Sequence, residues 1–578
     1  MSAFGSKADM FQGVVNCPLL AKNGPYATGS LRKECSSPGG EKGIRFSGIL
    51  AYLGNVEYLL NRTQKRRQQK LSKKTQRLAS ASGQPGVNAP EIQQSLDLAV
   101  QHHTAGRLPE AESIYQRVLD ANPDQPDALH LLGVIAVQYR KYDIAVDLIT
   151  QALTIKPDYA EAYNNLGYAL GNIGRLDEAV ASYHKSLAIK PDYSEAHNNL
   201  GNSLQDLGRL DEAVASYHNA LAIKPHYAEA HYGLGVALNE LGRMDEAVES
   251  CQNALAIKSD YAEAHCNIGN AFMGLDKLEE AVESFRMAVA INPKFAEART
   301  NLGYVLQKLE RFEDAISNYD RAALPKSRAR TLECLYAQGR YEEFYLRLER
   351  FMEVENTNLG VAAISAFVSH QLGRENPYPF CKAPLDFIRV GQVSNHAENT
   401  DKLIDVLVEE LGHRIAIWEP QGVTTRNGYQ SRDNLFLEPY GGLVELDRII
   451  KAEINSYYIA YKSASCSFIE SWPSKISLNG WFVRLLTDGH QTNHYHPGGW
   501  LSGVVYLKLP NQPKRNEGSI EFGLCGLDYT ILDSDYPRTL HRPEVGEIVM
   551  FPSSLFHKTL PFRTDDDRLS ISFDLLPD

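Results

Sequence analysis

The sequence predicts a multi-domain chain: an α-helical solenoid, then an α+β domain whose strands form a sandwich or jelly roll. Three observations predict it. A 34-residue period runs from about residue 92 to 327, short apolar runs bounded by turn residues follow one another beyond Gly480, and His494 and His496 stand two apart at the head of one such run. At 578 residues and 43% hydrophobic composition the chain has material for several cores. The formal charge of −12 speaks against a general nucleic-acid binder, because neutralising phosphate needs clustered Lys and Arg. The stretch 62–77, "RTQKRRQQKLSKKTQR", is the local exception, a basic tail able to touch nucleic acid or an anionic surface.

Residues 1–90 hold no sustained periodicity and end in "ASASGQPGVNAP", which predicts a mostly disordered segment. No basic segment precedes an apolar run there, and "GILAYLGNVEYLL" (48–60) is too short and carries Glu57. An export signal or membrane span is not expected. The eight cysteines are scattered without a C-x-x-C pair, as reduced thiols of a cytoplasmic protein would be.

Four strong copies of the period begin at residues 160, 194, 228 and 262, with weaker ones at Ile92, Pro126 and Ala296 and a degenerate half-copy at 335–351 as a cap. Gly167, Gly201, Gly235, Gly269 and Gly303 allow the close approach of a paired helix. Ala179, Ala213, Ala247, Ala281 and Ala315 fill a site open only to a small side chain, and Pro191, Pro225 and Pro293 end the unit. The pattern resembles the tetratricopeptide repeat, which implies helix pairs over 92–358 and a groove for an extended protein or peptide partner. Asn165, Asn199, Asn267 and Asn301 recur just before the Leu-Gly or Ile-Gly pair. Two readings stand: they bind a peptide backbone, as an equivalent ladder does in the O-GlcNAc transferase repeats these copies resemble, or they only cap neighbouring turns or bond between repeats.

"GRENPYPFCKAP" (373–384) reads as a linker to a domain at 385–578. Within it, 400–411 and 442–461 have helical spacing, the first with Thr400 as N-cap, and strands are expected in "WFVRLLTDG", "LSGVVYLKLP", "GSIEFG", "GEIVMFP" and "RLSISFDLLP". Residues two apart on a strand share a face, so His494 and His496 can aim at one point, and His557 offers a third nitrogen. Arg568 follows eleven residues later, on the strand face opposite Leu569, Ile571 and Phe573. A buried arginine there calls for an anion.

"NHYHPGGWLSGVVYL", "GEIVMFPSSLFH" and "RLSIS" together resemble the bacterial 2OG-Fe(II) oxygenases, over about a hundred residues. The resemblance implies a double-stranded β-helix form of jelly roll, Fe(II) on His494, His496 and His557, and 2-oxoglutarate bound through Arg568 with Ser570 and Tyr506. Dioxygen is the second co-substrate and hydroxylation the outcome. In this sequence His496 stands where relatives carry Asp or Glu, and no acid lies between His496 and Glu517. A cupin is the rival jelly roll with H-x-H, but it lacks a role for Arg568 and wants an acid near 499–501, where this chain has Gly-Trp-Leu. The other alternative is a repeat scaffold with an inactive or merely ligand-binding β-domain.

Overall fold

The computed structural model describes residues 89–577, except 421, 422, 432, 512, 513, 515, 527 and 528. The basic stretch 62–77 and the disorder expected of residues 1–90 therefore lie outside the described residues, save the last two of that segment. The described chain divides into two compact units that meet in sequence between Leu207 and Gly208.

The first unit is a run of antiparallel helix pairs: α1 (Ala89–Thr104) and α2 (Leu108–Ala121), α3 (Pro126–Gln138) and α4 (Tyr142–Ile155), α5 (Ala160–Asn172) and α6 (Leu176–Ile189), then α7 (Ser194–Asp206). The repeat glycine is what lets a pair close. A Cβ built on Gly167 of α5 would sit 2.8 Å from the Tyr183 ring of α6, so any side chain there would force the two helices apart. Ala179 is fully buried at the same crossing. The connection between paired helices needs a left-handed residue, supplied by Gly174 at φ +79° and, in a weaker copy, by Arg140 at φ +58°.

The second unit continues the pattern with α8 (Leu210–Ile223), α9 (Ala228–Glu240), α10 (Met244–Ile257), α11 (Ala262–Gly274), α12 (Leu278–Ile291), α13 (Ala296–Lys308), α14 (Phe312–Ala322), α15 (Pro325–Ala337) and α16 (Tyr341–Val354). It then adds α17 (Leu359–Gln371), whose residues 359–369 are all buried. A helix apolar on every side must be covered on every side. One apolar core runs from Cys266 in α11 through α17 to Leu575, so the last repeats and the strands share a single interior. Segment 373–384 is tied into this core by the fully buried Tyr378 and Phe380; Tyr378 Oη donates to Glu355 O and accepts from Asn358 N.

Phe367 of α17 packs against Tyr336, Tyr529 and Tyr536, with ring centroids 5.1 to 6.1 Å apart. Phe367→Ala is expected to cost about 3–5 kcal/mol, the range for deleting a buried aromatic ring. A thermal melt of the full chain checks it, and a midpoint within a degree of wild type would refute it.

Ten strands form one antiparallel sheet that curls on itself: β1 (Arg389–Gln392), β2 (Ile417–Trp418), β3 (Thr425–Gln430), β4 (Leu478–His494), β5 (Leu501–Lys508), β6 (Ile520–Gly523), β7 (Arg538–His541), β8 (Glu547–Pro552), β9 (Phe556–Thr559) and β10 (Arg568–Leu575). The order is β1-β8-β5-β10-β4-β9-β6-β7, with β3 also on β4 and β2 on β3. Helices α18 (Thr400–Gly412), α19 (Gly442–Tyr461) and the short α20 (Ser467–Glu470) accompany it. The N-cap of α18 is Asn399, whose side chain accepts from Lys402 N at 3.0 Å. Thr400, expected as the cap, is the first helical residue. The six described cysteines form no disulfide and are buried. No helix among the described residues is long and apolar enough to cross a membrane.

Candidate metal centre

The sheet brings the three histidines together from two strands and a turn. β4 and β9 pair so that His494 stands directly opposite His557, with ring centroids 4.2 Å apart. The chain leaves β4 after His494, and the turn is fixed where His496 N donates to Ser553 O at 3.0 Å. The His496 ring stacks at 5.2 Å on His494 and lies 5.0 Å from His557. One nitrogen from each ring falls within 4.8 Å of the others.

The other ring nitrogen of each is already engaged. Nδ1–H of His494 donates to Thr492 O at 2.7 Å, that of His557 to Leu555 O at 3.2 Å, and that of His496 to Asp574 Oδ1 at 2.6 Å. Because carbonyl and carboxylate oxygens can only accept, each ring carries its proton on Nδ1 and keeps the Nε2 lone pair free. Three lone pairs converging on one point, each ring oriented through its far nitrogen, fit a metal ion.

Burial and the neighbouring imidazoles disfavour protonation of two of the rings: His494 is lowered to about 3, and His557 stays well below the ordinary histidine value. The folded site thus refuses protons that the unfolded chain accepts. Stability of the metal-free protein is full above about pH 6.5 and is expected to fall as the pH drops below it. Thermal midpoints between pH 7.5 and 5 check this; a flat profile in wild type would contradict it.

Asp574 is the residue sequence reasoning missed. Ladder pairing of β10 with β5 sets Asp574 opposite Ser502, whose Oγ donates to Asp574 Oδ1 at 2.7 Å and lies 2.8 Å from Ser553 Oγ. Gly499 leaves them room, since a Cβ there would come within 2.7 Å of Ser553 Oγ and 2.9 Å of Asp574 Cγ. The signal was present: Arg568, Ser570, Ser572 and Asp574 alternate along one strand face.

Arg568, 1% exposed, lies at the other end of that face. Its guanidinium sits 5.0 Å from the centre of the Tyr506 ring, and Nη1 reaches Ser570 Oγ at 3.3 Å. Tyr506 pairs with Ser570 across the ladder. Arg568 and Tyr506 interact with each other, Arg568 Nε and Tyr506 Oη are buried with no well-formed hydrogen bond, and among the described residues no carboxylate pairs with the guanidinium. Burial holds the arginine below its usual value and pushes the tyrosine up. A buried cation beside an unsatisfied hydroxyl fits an anionic ligand with further acceptor oxygens. Tyr506 belongs to an apolar cluster with Phe522 and Phe551, and both of those rings also face His557. His490 stays apart from the trio, its Nδ1 on Asp488 O.

The four repeat asparagines spend their amides on neighbouring repeats. Asn165 Nδ2 bonds His130 Nε2 at 2.9 Å, Asn199 Nδ2 donates to Asn164 Oδ1 at 3.0 Å, and Asn301 Nδ2 donates to Asn270 Oδ1 at 3.1 Å. Asn267 accepts from Asn239 Nδ2 at 3.0 Å and donates through Nδ2 to Cys251 Sγ at 3.2 Å, both partners in the preceding repeat. These are contacts of the bonding-between-repeats alternative.

Residues 479–574 match the family described as "Putative 2OG-Fe(II) oxygenase". Tetratricopeptide-repeat families match 102–167, 172–208, 198–262, 262–295 and 296–323. No curated protein matches the chain. Similar solved structures include MamA (27% identity over 28% of this chain and 96% of that one, TM-score 0.27). They also include YrrB, titled a TPR protein with an unusual peptide-binding site (20%, 32% and 95%, 0.29), and the type IV pilus biogenesis factor PilW (24%, 37% and 100%, 0.35).

Proposed function

We infer, from a chain of tetratricopeptide repeats carrying a C-terminal domain that matches a 2OG-Fe(II) oxygenase family, that the protein is an Fe(II)/2-oxoglutarate-dependent dioxygenase hydroxylating a protein or peptide recruited by its repeats. The observation that carries this is the presence of two features on one curled sheet: three Nδ1-anchored imidazoles whose nitrogens come together, and a buried guanidinium with no carboxylate partner among the described residues.

In this reading His494, His496 and His557 hold the metal through Nε2. Arg568 receives the distal carboxylate of 2-oxoglutarate in a charge-assisted pair, with Tyr506 Oη and Ser570 Oγ completing its hydrogen bonds. Fe(II) bound there supplies oxidative decarboxylation of the keto acid by dioxygen and the oxidation of a C–H bond. The chain's own part is to orient and to exclude water. Backbone carbonyls fix two imidazoles, and Phe522 and Phe551 wall the His557 side with apolar surface. The shared core of the last repeats and the strands supports a recruited segment being held close to the site. The test is succinate release from 2-oxoglutarate by the full chain with Fe(II) and dioxygen. Release is expected in wild type and not in His557→Ala; equal release from both would overturn the reading.

A further inference from the structure

Three neutral imidazoles give a divalent ion no anionic ligand, unlike the usual set of two histidines and a carboxylate. We propose that Asp574 is the missing carboxylate of this centre, acting through His496 and not on the metal itself. It is a positioning residue. It fixes the His496 ring with Nε2 toward the ion, and it returns the negative charge that the ligand set lacks. The inference rests on the metal-binding reading above and deepens it.

The arrangement is built for this. Asp574 is 7% exposed and lies on a strand inside the sheet, so its place is set by ladder pairing with Ser502 on β5. His496, off the end of β4, is held twice by the same group of residues: its ring by Asp574 and its main-chain N–H by Ser553 O. Ser502 Oγ bridges the two, and Gly499 keeps the space clear. Among the described residues no lysine or arginine pairs with Asp574. A buried carboxylate without a cation is costly, and a dication on the far side of the imidazole answers it. Formal charge then agrees with the usual triad: a dication and one carboxylate leave +1 before the dianionic co-substrate arrives, whereas the imidazoles alone leave +2.

The experiment is anaerobic Fe(II) binding to the full-length chain, measured by competition with a chromophoric chelator, with the Fe(III)/Fe(II) midpoint potential recorded alongside. Asp574→Asn keeps the shape and an acceptor oxygen, so its thermal melt in the absence of metal reports whether the fold survives. The variant is expected to bind Fe(II) about 10–100-fold more weakly and to show a raised potential, since lost negative charge disfavours Fe(III). The double variant His496→Asp with Asp574→Asn moves the carboxylate onto the metal and is expected to recover most of the affinity. It also keeps the test decisive should the single variant fold poorly. Wild-type affinity and potential in Asp574→Asn, or no recovery in the double variant, would overturn the role of Asp574 and leave the oxygenase reading standing. Absence of Fe(II) binding in wild type would instead sink that reading, and the Asp574 role with it.

Discussion

His557→Ala is expected to remove Fe(II) binding altogether, a larger loss than the about 10–100-fold attached to changing an outer hydrogen-bond partner. His557 is the most buried of the trio and stands opposite His494 in the β4–β9 pairing, so its removal leaves only the two nitrogens of His494 and His496. Without the metal, the chelating end of 2-oxoglutarate loses its anchor, and co-substrate binding should fall with it. Calorimetric titration with metal and then co-substrate checks both losses, with circular dichroism to confirm the fold. Retained Fe(II) affinity within tenfold of wild type would refute the assigned role.

Arg568→Ala is expected to separate the two events. A hydrogen bond to a charged group contributes about 1.5–3 kcal/mol, so losing a bidentate pair lowers 2-oxoglutarate affinity by about 10²- to 10⁴-fold. Metal affinity should stay within a few-fold of wild type, because the Arg568 guanidinium bonds Ser570 Oγ while the trio is held by Thr492 O, Leu555 O and Asp574 Oδ1. Among the described residues the guanidinium has no carboxylate partner, so its removal orphans no second charge there, and a modest change in the melt of the ligand-free chain is expected. Equal losses of metal and co-substrate would contradict the division of labour between the two ends of the sheet.

How much of this the sequence disclosed depends on the range of the interaction. The repeats were legible because each carries its own close-approach glycine and its buried alanine, as Gly167 and Ala179 show against Tyr183. Strands β4, β5, β6, β8 and β10 were legible from apolar runs between turn residues. β1, β2, β7 and β9 were not: at two to four residues they have no pattern of their own, and exist because a longer neighbour offers a ladder. β3, "TRNGYQ", is polar enough to read as a loop and is set by β4.

At the centre, the spacing of His494 and His496 and the position of His557 pointed to convergence, which the β4–β9 register produces. Asp574 was not legible there because no acid follows His496 closely in the chain, and the carboxylate arrives across 78 residues through β10. The asparagine pattern shows the opposite case. A regular spacing admitted two readings, and that these amides bond to the preceding repeat is visible only in tertiary distances.

The most direct test is an anaerobic titration of the full chain with Fe(II) and 2-oxoglutarate, monitored for the visible metal-to-ligand charge-transfer band of a keto acid chelated to iron. That band requires the trio to hold Fe(II) and the co-substrate to reach it in one site. The band is expected to saturate at one equivalent in wild type, to be absent in His557→Ala, and in Arg568→Ala to appear only at far higher 2-oxoglutarate. A folded wild-type chain that gives no band at any concentration would contradict the oxygenase reading.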